Sequence, residues 1–248
     1  MKVIGVIAAR YGSTRLPGKA LKDICGHPMI WWVYQRIKTI NGFQEICVAT
    51  DDDRIKDECK RNNIPCVMTS SQHKTAANRL QEVSDKIPAD YYVQINGDEP
   101  LINIDAVKAV IPGDIPQEAE YGTNVITKIL EPSEVIDPTN IKMVFDDDMN
   151  ALYMSRTPIP YPYLSIEFEY FKHVGIIGYN KKMLDFYKNS VPGRFERIEG
   201  IDTLRFLDYG KTLKLSIVEK CQSLSVDTEK DLMKVRRIIQ GGDFNGSF

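Results

Sequence analysis

The sequence has no C-x-x-C pair. Its five cysteines stand at 25, 47, 59, 66 and 221, an odd number without the spacing of a zinc or redox site. Cys25, Cys47 and Cys66 lie among apolar residues and read as small core side chains, with a reducing compartment as the default. Charge of one sign is also lacking: 32 basic and 34 acidic residues leave a net charge of −2. So balanced a surface has no general pull on nucleic acid or anionic lipid, and any polyanion site must be local. Long hydrophobic runs are missing as well. The opening MKVIGVIAAR reaches Arg10 too soon for a signal peptide and far too soon for a membrane span. The expectation is a cytoplasmic protein with no membrane or nucleic-acid partner. Glycine and proline are near average usage, which excludes a fibrous or disordered chain.

What is present suits a folded domain. The chain has 248 residues, 43% of them hydrophobic, enough for a single α/β domain over residues 1–240 with a frayed tail at 241–248. Val3 to Ala9 is an apolar run of the kind buried on both faces of a sheet. Pro28 opens a helical pattern through Met29, Ile30, Trp32, Val33 and Ile37. Glu45–Thr50, Pro65–Met68 and Tyr91–Ile95 read as further strands, and helices are expected from Asp51-Asp52-Asp53 onward and over Thr75–Lys86. Alternating strands and helices predict a mostly parallel sheet covered by helices. Ligands of such sheets bind beyond the carboxyl ends of the strands, so the polar loops 10–19 and 96–100 are expected on one rim. Residues 112–180 are proline-rich and strand-like, and are expected to form an antiparallel extension that serves as a dimerisation arm. Helical patterns return near 197–209 and 229–239, with a strand at 213–218 between them.

The loop Ala9-Arg10-Tyr11-Gly12-Ser13-Thr14-Arg15-Leu16-Pro17-Gly18-Lys19 is the most informative stretch. Arg10, Arg15 and Lys19 bring positive charge, while Gly12, Gly18, Ser13 and Thr14 let backbone amides approach an anion closely. A nucleoside triphosphate needs both features. The Walker A pattern fails: five residues separate Gly12 from Gly18, and Ala20 follows Lys19 where Ser or Thr is required. The dinucleotide fingerprint G-x-G-x-x-G is absent. The competing reading is a solvated loop with surface cations.

This loop resembles the N-terminal signature of the CMP-sugar-acid synthetases, and most closely that of the 3-deoxy-manno-octulosonate (KDO) cytidylyltransferases. Gly97-Asp98-Glu99-Pro100, Ala151-Leu152-Tyr153-Met154-Ser155-Arg156, Lys172-His173-Val174-Gly175-Ile176 and Val226-Asp227-Thr228 look like further motifs of that family, in the same order. The resemblance implies a Rossmann-like α/β fold of the nucleotide-diphospho-sugar transferase type, CTP and a small sugar acid as substrates, Mg²⁺ as cofactor, and a homodimer. It implies nucleotide contacts from Ala8, Ala9, Arg10, Gly12, Ser13, Thr14, Lys19, His73, Thr75, Arg79 and Gly97. Arg10, Lys19 and Asp98 are then the catalytic residues, with Asp98 and Asp227 as metal ligands. Read without it, Asp98 is a turn residue and Asp227 a helix N-cap.

Four regions depart from the family pattern. The base-recognition motif H-x-S-G-T-[DE]-R reads His73-Lys74-Thr75-Ala76-Ala77-Asn78-Arg79 here, with Ala76 restricting backbone approach and Asn78 removing a charge. On the acceptor side, Asn96 replaces Gln, Ile177 replaces Tyr, and Asp202-Thr203 replaces Glu-Gln, while Arg156 and His173 persist. Polar pockets discriminate strongly against ligands that leave groups unpaired, so the acceptor is expected to be a sugar acid related to KDO and not KDO itself. Arg156 suits a carboxylate, and His173 a sugar hydroxyl. Asp51-Asp52-Asp53 and Asp146-Asp147-Asp148 contain the D-x-D spacing of metal-dependent glycosyltransferases but read as a helix start and a tight turn. Rival functions are such a glycosyltransferase, a nucleotide-binding homologue without turnover, and a cytidylyltransferase for a phosphonate or phosphorylated acceptor.

Overall fold

The computed structural model describes residues 1–241 except 117, 166, 220, 222 and 223, so the tail from 242 onward lies outside the described residues. The first half alternates as expected: β1 (Val3–Ala8), the short hairpin β2 (Asp23–Ile24) and β3 (His27–Pro28), α1 (Met29–Lys38), β4 (Glu45–Thr50), α2 (Asp53–Arg61), β5 (Cys66–Met68), α3 (Ala76–Lys86) and β6 (Tyr91–Asn96). Pro28 is the N-cap of α1, where its missing N–H costs nothing. Asp52 caps α2 by accepting from Arg54 N, and Thr75 caps α3 by accepting from Asn78 N. A helix that the periodicity did not announce, α4 (Ile104–Ala109), starts at Asn103, whose side chain accepts from Ala106 N.

The second half supplies β7 (Gly122–Lys128), α5 (Pro132–Ile136), β8 (Lys142–Phe145), β9 (Ala151–Ser155), β10 (Phe171–Asn180), α6 (Lys181–Asn189), α7 (Arg194–Glu199), α8 (Leu204–Asp208), β11 (Leu213–Ile217) and α9 (Glu229–Gln240). The helical pattern near 197–209 is two helices, broken where Gly200 ends α7 in the left-handed region at φ 64°. Among the described residues nine strands form one sheet, in the order β11-β7-β10-β6-β1-β4-β5, with β8 and β9 branching from β10. β6, β1, β4 and β5 are parallel, and β10 runs antiparallel to both β6 and β7. The middle segment is therefore more than an extension: β7 and β10 are inner strands of the main sheet, and only the β8–β9 pair branches off it.

Helices bury both faces of this sheet. Val3, Ile7, Val93 and Ile95 point into one core with Ile30, Val33 and Val107, and Ile4, Val6, Ile177 and Tyr179 into the other with Leu80, Met183 and Phe206. Each such side chain contributes roughly 1.5–3 kcal/mol on burial. A third, smaller cluster joins Leu16, Ile24, Met29 and Trp32 to Val226, Leu232 and Val235. It fastens α9 to the loop after β1 and so carries Asp227 to the rim of the sheet. No helix among the described residues is long and apolar enough to cross a membrane. All five cysteines are free thiols.

Candidate active site

β1 and β6 are adjacent and parallel, so the loops that follow them leave the same edge. Lys19 Nζ donates to Asp98 Oδ2 and, at 3.1 Å, to Asp227 Oδ1. Arg15 Nη2 reaches the same Asp227 oxygen at 3.0 Å. Val226 N donates to Asp98 O at 2.8 Å, which holds the segment carrying Asp227 against the one carrying Asp98. The N-cap of α9 is Thr228, closed by a reciprocal bond with Asp231, so Asp227 is not the cap and its carboxylate faces Lys19 and Arg15. Burial acts to lower the Lys19 ammonium, but the Asp98 and Asp227 carboxylates outweigh it and raise it above its ordinary value. Lys19 is therefore a fixed positive charge between two carboxylates.

A cavity of about 220 Å³ opens beside this triad. Ala8, Ala9, Arg10, Lys19, Gly97 and Asp98 line one end, and His73, Thr75 and Arg79 the other. Gly97 is required here: a Cβ would stand 2.9 Å from Ala8 O and 3.2 Å from Ala9 Cβ, where the two strand ends converge. Gly12, Ser13 and Thr14 do not line it. Their limb of the loop is folded back by Ser13 N and Gly18 N, both donating to Tyr11 O at 3.0 Å. The Tyr11 ring packs on Gly18 (φ +65°) and carries the Arg54 guanidinium 3.3 Å above it.

The α3 end is built on buried pairings. Arg79 is 4% exposed, donates to Thr69 Oγ1 and pairs with Asp51 at 3.2 Å. The first D-x-D cluster is thereby explained: Asp51 neutralises Arg79 and Asp52 caps α2. The second is a turn, with Asp146 Oδ1 accepting from Asn150 N at 2.8 Å. His73 Nε2 lies 2.6 Å from Glu82 Oε2. Thr75 Oγ1, besides its cap bond, donates to Asn78 Oδ1 at 3.0 Å, which gives the asparagine at 78 a structural use.

A larger cleft of about 1110 Å³ continues from the first cavity, with Asn96 in the wall of both. His173 and Gly175 line it, with Glu99 and the cations Lys128, Lys172 and Lys234. Asn96 Nδ2 donates to Glu99 Oε1 at 2.9 Å and to Gly175 O at 3.2 Å. The other expected acceptor residues are not brought here. The Arg156 guanidinium is taken up by the carbonyls of Glu199 (2.7 Å), Pro138 (2.9 Å) and Gly200 (3.4 Å), and it lines neither cavity. Asp202 and Thr203 lie between α7 and α8, Thr203 buried and Asp202 beside Tyr179 and Tyr187. Desolvation, reinforced by the Glu196 charge, raises the Asp202 carboxyl above its usual range. Lys74, Ala76, Glu99 and Lys172 were not anticipated as lining residues. Asn124, immediately before Val125-Ile126 on β7, was overlooked although a polar residue at a core position of a strand is itself a signal.

A protein-family model described as cytidylyltransferase matches residues 4–215. The chain belongs to the cytidylyltransferase family. It is a nucleotidyltransferase, and relatives match it almost end to end. The chain is 38% identical over 242 residues to a 3-deoxy-manno-octulosonate cytidylyltransferase of Fusobacterium nucleatum, covering 97% of this chain and 98% of that one. It is 37% identical over 243 residues to an 8-amino-3,8-dideoxy-manno-octulosonate cytidylyltransferase of Shewanella frigidimarina, covering 94% and 97%. The solved structure of a CMP:2-keto-3-deoxy-manno-octonic acid synthetase complexed with CTP superposes with a TM-score of 0.91 at 36% identity, covering 97% of this cytidylyltransferase and 99% of that chain.

Proposed function

We propose that this cytidylyltransferase transfers CMP from CTP to the anomeric hydroxyl of a 3-deoxy-ulosonic, KDO-like sugar acid and releases pyrophosphate. The convergence of Lys19, Asp98 and Asp227 beside the cavity lined by Arg10, His73 and Arg79 carries this reading. In the reaction the acceptor oxygen forms a bond to the α-phosphorus while the bond to the pyrophosphate oxygen breaks. Catalysis of this kind is positioning and charge neutralisation. Arg10 and Lys19 offset charge on the phosphates, and His73, Thr75 and Arg79 form the wall for the nucleoside. Asp98 and Asp227 offer hard carboxylate oxygens beside one another, the donor set Mg²⁺ takes when phosphates complete its shell. Bound there, Mg²⁺ would neutralise phosphate charge as a Lewis acid.

The larger cleft, continuous at Asn96, takes the acid. The Arg156 fork is engaged with main-chain carbonyls, so the acid's carboxylate meets a cleft lysine, displacing either Glu134 from Lys172 (2.7 Å) or Glu169 from Lys128. Tyr161, Tyr163 and Leu164, each more than 80% exposed, lie on the segment between β9 and β10 and form the apolar surface on which a second copy would associate.

Relatives of similar identity act on two different octulosonates by name, so overall similarity does not choose the acceptor. A panel containing both acids, incubated with CTP and Mg²⁺ and scored for pyrophosphate, decides. Release with at least one acid is expected, with KDO ranking below a related acid because of Asn96. Ile177, expected from the sequence at the acceptor, is instead packed in the core and lines neither cavity. Pyrophosphate from none of them, with nucleoside diphosphate released from a nucleotide sugar instead, would point to a glycosyltransferase.

A further inference from the structure

β10 breaks register against β7 between Val174 and Ile177. The break deprives the carbonyls of residues 174–176 of regular ladder partners, and two asparagine side chains replace them. Asn124, fully buried on β7, donates from Nδ2 to Val174 O at 2.8 Å and to Ile176 O at 2.9 Å. Asn96 Nδ2 donates to Gly175 O between them. A Cβ at position 175 would stand 2.7 Å from Asn96 Nδ2, so a larger residue there would push the Asn96 amide off the Gly175 carbonyl.

This clamp has a chemical consequence for the neighbouring residue. Two carbonyls fix the Asn124 amide nitrogen, because the reverse orientation would set oxygen against oxygen. Asn124 Oδ1 is therefore the atom 2.7 Å from His173 Nδ1, and an amide oxygen can only accept. The proton of that bond belongs to Nδ1. Recessed in the cleft wall, the His173 imidazole is pushed down to about 4 by desolvation, so at neutral pH it carries one proton only. Nε2 then holds a lone pair, and His173 lines the cleft next to Gly175.

We propose that Asn124 is a positioning residue for the acceptor: it locks His173 in the Nδ1–H tautomer, so that Nε2 accepts a hydrogen bond from a hydroxyl of the sugar acid. The proposal rests on the larger cleft being the acceptor site. The effect on chemistry is indirect, since Asn124 itself touches no substrate.

The test joins a spectroscopic readout to a kinetic one. Long-range ¹H–¹⁵N correlation on protein labelled at histidine, with His173→Gln to assign the signal, is expected to give the Nδ1–H tautomer near pH 7.5. Asn124→Asp keeps an acceptor oxygen for Nδ1 but sets its other oxygen against the Val174 and Ile176 carbonyls, so the clamp opens and Nε2 of His173 is no longer held towards the acceptor. Its acceptor KM is expected to rise about tenfold, as for loss of one buried hydrogen bond, with the KM for CTP little changed. His173→Gln should raise the acceptor KM likewise. The proposal is overturned if the wild-type ring carries its proton on Nε2, a result that needs no variant to fold. It is also overturned if Asn124→Asp leaves the acceptor KM unchanged while His173→Gln raises it. If the Nδ1–H tautomer is found but His173→Gln leaves the acceptor KM unchanged, the assignment of the cleft fails and the proposal falls with it.

Discussion

Replacing Lys19 by alanine is expected to lower kcat/KM for pyrophosphate release roughly 10²–10³-fold, the usual cost of removing one preorganised charge from a transition state. Two effects add. The phosphates lose a cation held in place by Asp98 and Asp227. The two carboxylates lose the charge that lets them sit together, with only the largely exposed Arg15 left beside Asp227. The fold should survive, because Lys19 stands at the rim and the core clusters do not depend on it. Steady-state kinetics with a melting curve check both halves. Unchanged kcat and KM for CTP would remove Lys19 from the mechanism.

The largest effect on stability is expected away from the nucleotide. Arg205 on α8 makes a two-pronged pair with Glu196 on α7, Nε to Oε2 at 2.7 Å and Nη2 to Oε1 at 2.6 Å. Its Nη1 also donates to the carbonyls of Tyr187 (3.1 Å) and Ser190 (3.2 Å), and its guanidinium stacks 3.9 Å from the Tyr187 ring. Both side chains are about 90% buried, at 8% and 10% exposure. Arg205→Leu strands a buried carboxylate and two carbonyls, for a loss of about 3–5 kcal/mol. In a domain of this size that lowers Tm by roughly 10 °C. The double change Arg205→Leu with Glu196→Leu should recover part of the loss, since an apolar pair can replace a buried ion pair. A Tm for Arg205→Leu equal to wild type would show that the pair is not structural.

The parallel half of the sheet was legible because its strands are short apolar runs between polar loops. Glu45–Thr50 was read to the residue, and the shared rim of the loops at 10–19 and 96–100 followed from strand direction alone. α4 was missed because a six-residue helix hardly fills two turns of the hydrophobic period, and its signal is a single cap, Asn103. The places of β7 and β10 were missed because pattern identifies a strand but not its partner, and an antiparallel strand inserted between two others depends on long-range pairing. The site divides in the same way. Lys19 and Asp98 stand in local motifs, so their meeting could be anticipated. The engagement of Arg156 by the carbonyls of 138, 199 and 200, the neutralisation of Arg79 by Asp51, and the hold of Asn124 on His173 are contacts between distant segments. No local pattern carries them. Asp202 shows the limit most clearly, because a motif position marked it for the acceptor while the packing of α7 on α8 sets it beside Tyr179 and Tyr187, outside the walls of both cavities.

We propose that Asp98 and Asp227, gathered around Lys19, bind a magnesium-bound triphosphate. Calorimetric titration of CTP with and without Mg²⁺, in the wild type and in Asp98→Asn with Asp227→Asn, tests it most directly. Mg²⁺ is expected to tighten CTP binding at least tenfold in the wild type and to have almost no effect once both carboxylates are gone. The same gain from Mg²⁺ in both proteins would show that the two carboxylates do not hold the metal.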